Sequence, residues 1–277
     1  MHVRIATERT GRTRIDSPAV TVPPLVIQFW RAIDDLLGSV HPTRWGAVVT
    51  DPGSPAIWDT NYARIDADTA GLTIAEVERD LLPALARVGT DVEHVVAFDP
   101  EGARDVIAAL SSRGHRLSWD LVMTCDDVVE PARPADVVAI EPDEATWDDV
   151  RTSLVESFGV DEPAALDQLM RLEREVLAPG GKRWFGVRER GRWVSLAASL
   201  VLDGVGYVDN VATAHEFRGR GYASAVTALV TREALADHAE TVFLLADPDE
   251  GATVKMYERI GFASAGRLVS TRGPRPA

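Results

Sequence analysis

The sequence predicts a protein of the α/β class, in its α+β form: two domains of similar plan, each a mixed, largely antiparallel central sheet flanked by helices. Three observations lead there. Short apolar runs bounded by glycine turns alternate with amphipathic stretches at helical spacing. A proline- and acid-rich segment, "CDDVVEPARPADVV" at 125–138, divides the chain near its middle. One local pattern also occurs in each half. "FDPEGARDVIAALSSRGH" and "LADPDEGATVKMYERIGF" share an Asp-Pro, acids, a helical run and a closing glycine before His or Phe, with a one-residue offset. The division places one domain at 1–133 and the other at 134–277.

In the first half, "PPLVIQFWRAIDDLL" reads as a helix, and "WGAVVTD" and "AIWDTNYARI" as strands. "TIAEVERDLLPALARV" is a helix opened by a capping box of Thr73 with Glu76. "VEHVVAF" is a strand, "EGARDVIAALSSR" a helix ended by Gly114, and "HRLSWDLVMTC" a strand. The second half opens with the strand "DVVAI". A helix follows with Trp147, Val150, Leu154, Val155 and Phe158 at helical spacing. "PAALDQLMRLEREVL" is a second helix, with Pro163 near its start. "KRWFGVRER" and "RWVSLAASLVL" form a hairpin around Gly191, and "GVGYVDNVAT" is a third strand. A glycine-arginine turn leads into a helix over 221–236, then the fully apolar strand "TVFLLA". "EGATVKMYERI" is a helix stopped at Gly261, a strand pair covers 262–270, and 272–277 is a frayed tail.

With 277 residues, 45% of them hydrophobic, the chain is long enough to bury two cores. A formal net charge of −14 argues against nucleic-acid and membrane-surface partners, since both present anionic surfaces. Any anion must then be held by a local site. The one cysteine, Cys125, rules out an intrachain disulfide and makes a reducing cytoplasm the simplest setting. The first ten residues lack the apolar core of a signal peptide, and no window has the apolar length of a bilayer span. The six histidines show no metal-ligand spacing, so no metal is expected.

The sharpest signal is "NVATAHEFRGRGYASAVTALV" at 210–230. A strand, a glycine-rich turn and a helix N-terminus form an anion site. The first N–H groups of the helix lack internal partners, the helix dipole is positive there, and glycines let a phosphate come close. The glycines do not follow G-x-G-x-x-G after a βαβ opening, and no G-K-[ST] is present, so neither a dinucleotide fold nor a P-loop is indicated.

Arg218-Gly219-Arg220-Gly221-Tyr222-Ala223 resembles the R/Q-x-x-G-x-G/A signature of the GNAT superfamily of acyl-CoA-dependent N-acyltransferases. "MYERIGF" at 256–262 resembles that family's second motif, often L-Y-x-x-x-G-F. The resemblance covers about 137–270 and implies two GNAT-like domains, the first degenerate. It implies that the pyrophosphate of acetyl-CoA sits on the amides of Gly219, Arg220, Gly221, Tyr222, Ala223 and Ser224, with Arg218 and Arg220 beside the phosphates. The pantetheine arm is expected to pair like an added strand with Val211, Ala212 and Thr213. Tyr257 takes the place of the general acid near the sulfur. The attacking amine must lose a proton, and Asp209 is the candidate base. Strand alternation lets only one of Asp209 and Asn210 face the cleft. Glu156 is a weaker candidate, and His215 lies in the loop before Arg218. The second motif departs from the family, with Glu250 and Thr253 where Asn and Ala are common.

The first half lacks the signature. Asp66 and Asp68 would repel a pyrophosphate, and Leu110 stands where Tyr257 does in the second half. That half is expected to bind no CoA and to complete the acceptor cleft or act as an internal pseudo-dimer partner; the protein is expected to be a monomer of that kind or a homodimer. An aromatic set of Trp45, Trp58, Tyr62 and Trp119 is a candidate ligand groove. The function implied is transfer of an acetyl group from acetyl-CoA to a primary amine of a small molecule. The alternatives are a CoA-binding sensor without turnover and an acetyltransferase for protein lysines or N-termini.

Overall fold

The computed structural model describes residues 21–141 and 143–276. They form two compact units, 123–264 on one hand and 21–122 with 265–276 on the other. The expectations for the first residues of the chain lie outside the described residues.

The unit holding most of the first half opens with α1 (Pro24–Leu37), whose leading proline needs no N–H partner. Strands β1 (Ser39–Thr43), β2 (Gly46–Thr50), β3 (Tyr62–Ile65), β4 (Val92–Ala97) and β5 (Arg116–Cys125) follow, with α2 (Ile74–Val88) and α3 (Arg104–Ser112) between them. β1 is absent from the sequence expectation because Pro42 and its polar neighbours do not read as a strand. It pairs only with β2, at the sheet edge, where a proline is tolerated. Of the run "AIWDTNYARI" only 62–65 is strand, because Trp58–Thr60 forms a 3₁₀ turn. Leu81 and Leu85 of α2 and Leu110 of α3 pack on Ile65 and Trp45 to make this unit's core. The capping box is half made: Thr73 Oγ1 accepts from the Glu76 N–H at 3.4 Å, while the Glu76 carboxylate pairs with Arg44.

The second unit contains β6 (Val137–Ile140), α4 (Glu144–Phe158), α5 (Pro163–Leu172), β7 (Arg183–Glu189), β8 (Arg192–Leu202), β9 (Val205–Thr213), α6 (Tyr222–Ala236), β10 (Thr241–Ala246) and α7 (Gly251–Arg259). Its strands run β10-β9-β8-β7-β6. The β6–β9 meander is antiparallel, and β9–β10 is a parallel pair joined through α6. All six residues of β10 are buried, as its continuous apolar run requires. Asp143 and Glu162 cap α4 and α5 with their side chains. The helix expected through 177 changes character at Glu173, where a π-helical turn over Glu173–Leu177 continues α5.

Gly261 ends α7 at φ 107°; a Cβ there would lie 2.4 Å from the Asp127 carbonyl oxygen and 3.3 Å from Cys125 Sγ, so only glycine fits. Cys125 is buried and its thiol is pushed up to about 11 by burial, which makes it an inert packing residue.

Two expectations fail at the end of the chain. The strand pair over 262–270 is one strand, β11 (Ala263–Pro274). The frayed tail is part of it through Pro274: Arg272 faces His94, Gly273 faces Glu93 and Pro274 faces Val92 on β4, and the Arg275 N–H bonds to Asp91 at 2.7 Å. The tail looks breakable from its prolines and glycine, but β4 offers it a continuous antiparallel partner. From Ala265 onward, β11 therefore belongs to the unit that contains β4, between β4 and β5, so the compact units do not follow a single cut after residue 133.

Candidate active site

Three features converge at the C-terminal end of β9. The parallel ladder between β9 and β10 stops at Tyr207 with Phe243, although both strands continue. Among the described residues, Val208 to Thr213 of β9 have ladder partners on β8 alone, so the other edge of the strand is open to a further strand, apart from the Thr213 carbonyl that Arg218 takes. The register then slips: Leu196 faces Ala212, but Ala198 faces Asp209, so β9 carries an extra residue opposite Ala197. Asn210 takes the left-handed conformation there, at φ 53°, uncommon for a residue other than glycine.

The bulge overturns the alternation expected for Asp209 and Asn210. Both side chains enter one buried cluster. Asp209 Oδ2 lies 2.7 Å from Lys182 Nζ, and its Oδ1 accepts the Asn210 N–H at 2.8 Å. Asn210 Nδ2 is 3.3 Å from Asp209 Oδ2 and 3.3 Å from Glu173 Oε1. Lys182 Nζ also reaches Glu173 Oε1 at 2.7 Å. The side chains of Lys182, Asp209 and Glu173 are each 1% exposed. Burial alone would lower the Lys182 pKa, but the two carboxylates outweigh it and hold the ammonium above its usual value. The Trp184 ring covers Lys182 Nζ at 5.1 Å from its centroid and meets Trp147 edge to face. Glu173 and Lys182 carry no motif signal, so the sequence reading missed them; a buried lysine needs paired acids, but its partners are 9 and 27 residues away.

After β9, a 3₁₀ turn over His215–Phe217 leads into the Arg-Gly turn. Gly219 (φ 76°) and Gly221 (φ 91°) are both left-handed, and a Cβ on Gly219 would meet nothing within 4 Å. Gly221 opens α6 with no side-chain cap and no acid in the first turn, so the amides of Tyr222, Ala223 and Ser224 point out of an uncapped, positive helix end. The arginines are occupied. Arg218 Nε donates to the Thr213 carbonyl at 3.1 Å; Arg220 lies over Phe217 and donates to the Glu216 carbonyl at 3.3 Å. Tyr222 donates to the Glu189 carboxylate, and Arg133 Nη1 holds the Gly219 carbonyl at 3.0 Å. His215 and Glu156 are exposed.

Tyr257 lies on α7, 5% exposed, edge to face with Phe262. Burial, then the Glu250 charge, raises its phenol pKa, so the hydroxyl keeps its proton at neutral pH. Glu250 and Thr253 bond to each other at 3.2 Å.

The matching place in the first unit is filled from within. Between β3 and α2, Arg44 binds Glu76 and Asp68 and donates to the Ala70 carbonyl, closing the helix entrance. Asp66 is bound by Arg31 and Arg64. The aromatic set separates: Trp45 and Trp119 belong to the α2 core, whereas Trp58 and Tyr62 pack on His94. Among the described residues, no group of three or more His, Cys, Asp or Glu side chains is placed to hold a metal, and no helix is long and apolar enough to cross a membrane.

The stretch that holds this site is similar to known proteins. Residues 184–269 match the family model described as FR47-like protein, a stretch running from β7 into β11. An uncharacterized N-acetyltransferase of Bacillus subtilis (strain 168), YobR, is 32% identical over 85 residues, 31% of this chain. The matched stretch spans 34% of that relative's own length. A GCN5-related N-acetyltransferase from Kribbella flavida shares the fold at a TM-score of 0.61 and 20% identity, over 89% of this chain and 95% of its own. A functionally unknown conserved protein from Staphylococcus epidermidis ATCC 12228 does so at 0.65 and 12% identity, over 86% and 95%. The stretch 184–269 is thus FR47-like, and the likeness to the solved structures is one of fold.

Proposed function

We propose that the protein is an N-acetyltransferase that moves an acetyl group from acetyl-CoA to the primary amine of a small molecule. The observation that carries this reading is the open edge of β9 leading directly into the uncapped amides of α6. The residues present fit acetyl-CoA. The edge of β9 that faces away from β8 at Val211, Ala212 and Thr213 suits the two amides of a pantetheine arm, which bond as an added strand does, with the Thr213 carbonyl shared with Arg218. The amides of 219–224 suit a pyrophosphate, and the space at Gly219 lets it approach. Arg218 and Arg220, tied to carbonyls, shape the turn more than they neutralise the ligand.

Bound acetyl-CoA supplies the acyl group and a thiolate leaving group. Tyr257 holds a proton at its Oη, kept there by burial, and is the general acid in this reading. Asp209, held at the bulge by Lys182 and the Asn210 N–H, is the candidate base for the proton that the attacking amine loses, directly or through water. The first unit, with its helix entrance closed by Arg44, is read as binding no CoA.

The test is release of free thiol from acetyl-CoA over a panel of primary amines, alongside calorimetric titration with CoA. Binding and amine-dependent release are expected. Binding without release for any acceptor would favour a sensor, and no binding would end both readings.

A further inference from the structure

We propose that Glu173 is the acceptor-recognition residue of this site, and that the acceptor carries, besides the amine that is acetylated, a second cationic group that docks on its free carboxylate oxygen. The inference rests on the acetyltransferase reading. It begins with a charge count in the buried cluster at the β9 bulge: two carboxylates, Glu173 and Asp209, face one ammonium, Lys182, which leaves one negative charge over. Burying an uncompensated charge is costly unless a partner is supplied. The oxygens are not equally occupied. Asp209 is engaged through both, and Glu173 Oε1 accepts from Lys182 and Asn210. Glu173 Oε2 is buried with no hydrogen-bond partner.

Two independent backbone irregularities meet at Glu173. Glu173 begins the π-helical turn of Glu173–Leu177, closed by a bond from the Ala178 N–H to the Glu173 carbonyl at 2.9 Å. Asn210, which holds Glu173 Oε1, is the left-handed residue of the bulge. Such departures persist when the surrounding structure over-determines them, and they gather at functional sites. The Trp184 ring covers Lys182 and meets Trp147, over which Arg174 lies, so cations already pack on both indoles beside the cluster. Asp209 stays the candidate base, and the second cationic group of the acceptor touches Glu173.

The experiment measures acetyl-CoA thiol release with 1,4-diaminobutane and 1,5-diaminopentane, for the natural protein and Glu173→Gln, with the Kd for CoA measured on both. The expected result is a KM for the amine raised about tenfold or more in Glu173→Gln, roughly 1.4 kcal/mol of lost recognition, with the CoA Kd within twofold of the natural protein. An amine KM unchanged within threefold overturns the proposal. So does a natural protein that binds CoA but releases thiol to neither amine, which leaves the CoA site standing while removing the cationic acceptor. A second measurement needs no variant: n-butylguanidine, a cation at pH 7, should compete with the amine, and its neutral isostere n-butylurea should not. Equal competition by both overturns the proposal even if Glu173→Gln does not fold. Loss of CoA binding by the natural protein points instead to failure of the acetyltransferase reading.

Discussion

Lys182 Nζ stands 2.7 Å from Asp209 Oδ2, both side chains 1% exposed, and this contact ties the start of β7 to the bulge of β9. Removing one member of a buried pair strands the other charge. Lys182→Met is expected to destabilise the protein by about 3–5 kcal/mol, because two carboxylates would then face each other without a cation. Urea unfolding followed by circular dichroism measures this, and a loss below about 1 kcal/mol would mean that the cluster relaxes or takes up a proton at no great cost.

Gly219 leaves open the approach to the α6 amides. Gly219→Val combines a β-branched side chain with a left-handed backbone and puts its methyl groups into the open space in front of the α6 amides, where the proposed phosphate would bind. The CoA Kd is expected to rise by about tenfold or more, near 1.4 kcal/mol, while the melting temperature falls only modestly. Unchanged CoA affinity in calorimetry would move the phosphate site away from this turn.

Tyr257→Phe removes one hydroxyl and keeps the ring against Phe262. Turnover is expected to fall by about 10²-fold or more, with the CoA Kd unchanged, as befits loss of a general acid. Because burial raises the phenol pKa, the natural protein should show no loss of rate between pH 7 and 9 from this group. An unaltered kcat in the variant rules the role out.

Glu93, fully buried on β4, has its carboxyl pushed up to about 7 by burial and then by the Glu78 charge. Its folded pKa lies above its unfolded value, so the folded form holds the extra proton between roughly pH 4.5 and 7. Stability therefore falls as pH rises through that window. Glu93→Gln, neutral throughout, should flatten the slope and melt higher than the natural protein at pH 8. Parallel melting curves for the two proteins from pH 5 to 8 would contradict this assignment.

Ending the chain after Ser270 removes the three β11 residues that face His94, Glu93 and Val92. It also removes Arg272, which covers the Trp58 ring at 4.1 Å from its centroid. The shortened protein is expected to lose stability in the unit that contains β4. Faster amide exchange in β4 than in β9 would show it; uniform exchange would mean that the pairing at 272–274 contributes little.

The parts of this fold legible in the sequence are those whose cause is local. The apolar run at β10, the Gly191 hairpin and the Arg-Gly turn before α6 each carry their instruction within a few residues. Tyr257 and Gly261 were readable for the same reason. The rest depends on distant partners. Alternation along β9 failed because the extra residue is defined by its mismatch with β8. The π-helical turn continues a segment of ordinary helical pattern, and its buried Glu173 finds Lys182 and Asn210 only once the chain has folded. The 272–274 segment looked like a loose end because prolines and a glycine speak for themselves, whereas β4, which accepts it, lies some 180 residues earlier.

That last pairing bears on how the protein is made. A ribosome delivers β4 and β5 long before it delivers β11, and the space between those two strands is filled only by β11. The strands made first must wait, with an unpaired edge, until β11 has emerged. The unit that contains β4 therefore closes only after 123–264 has been made, although most of its strands precede that segment.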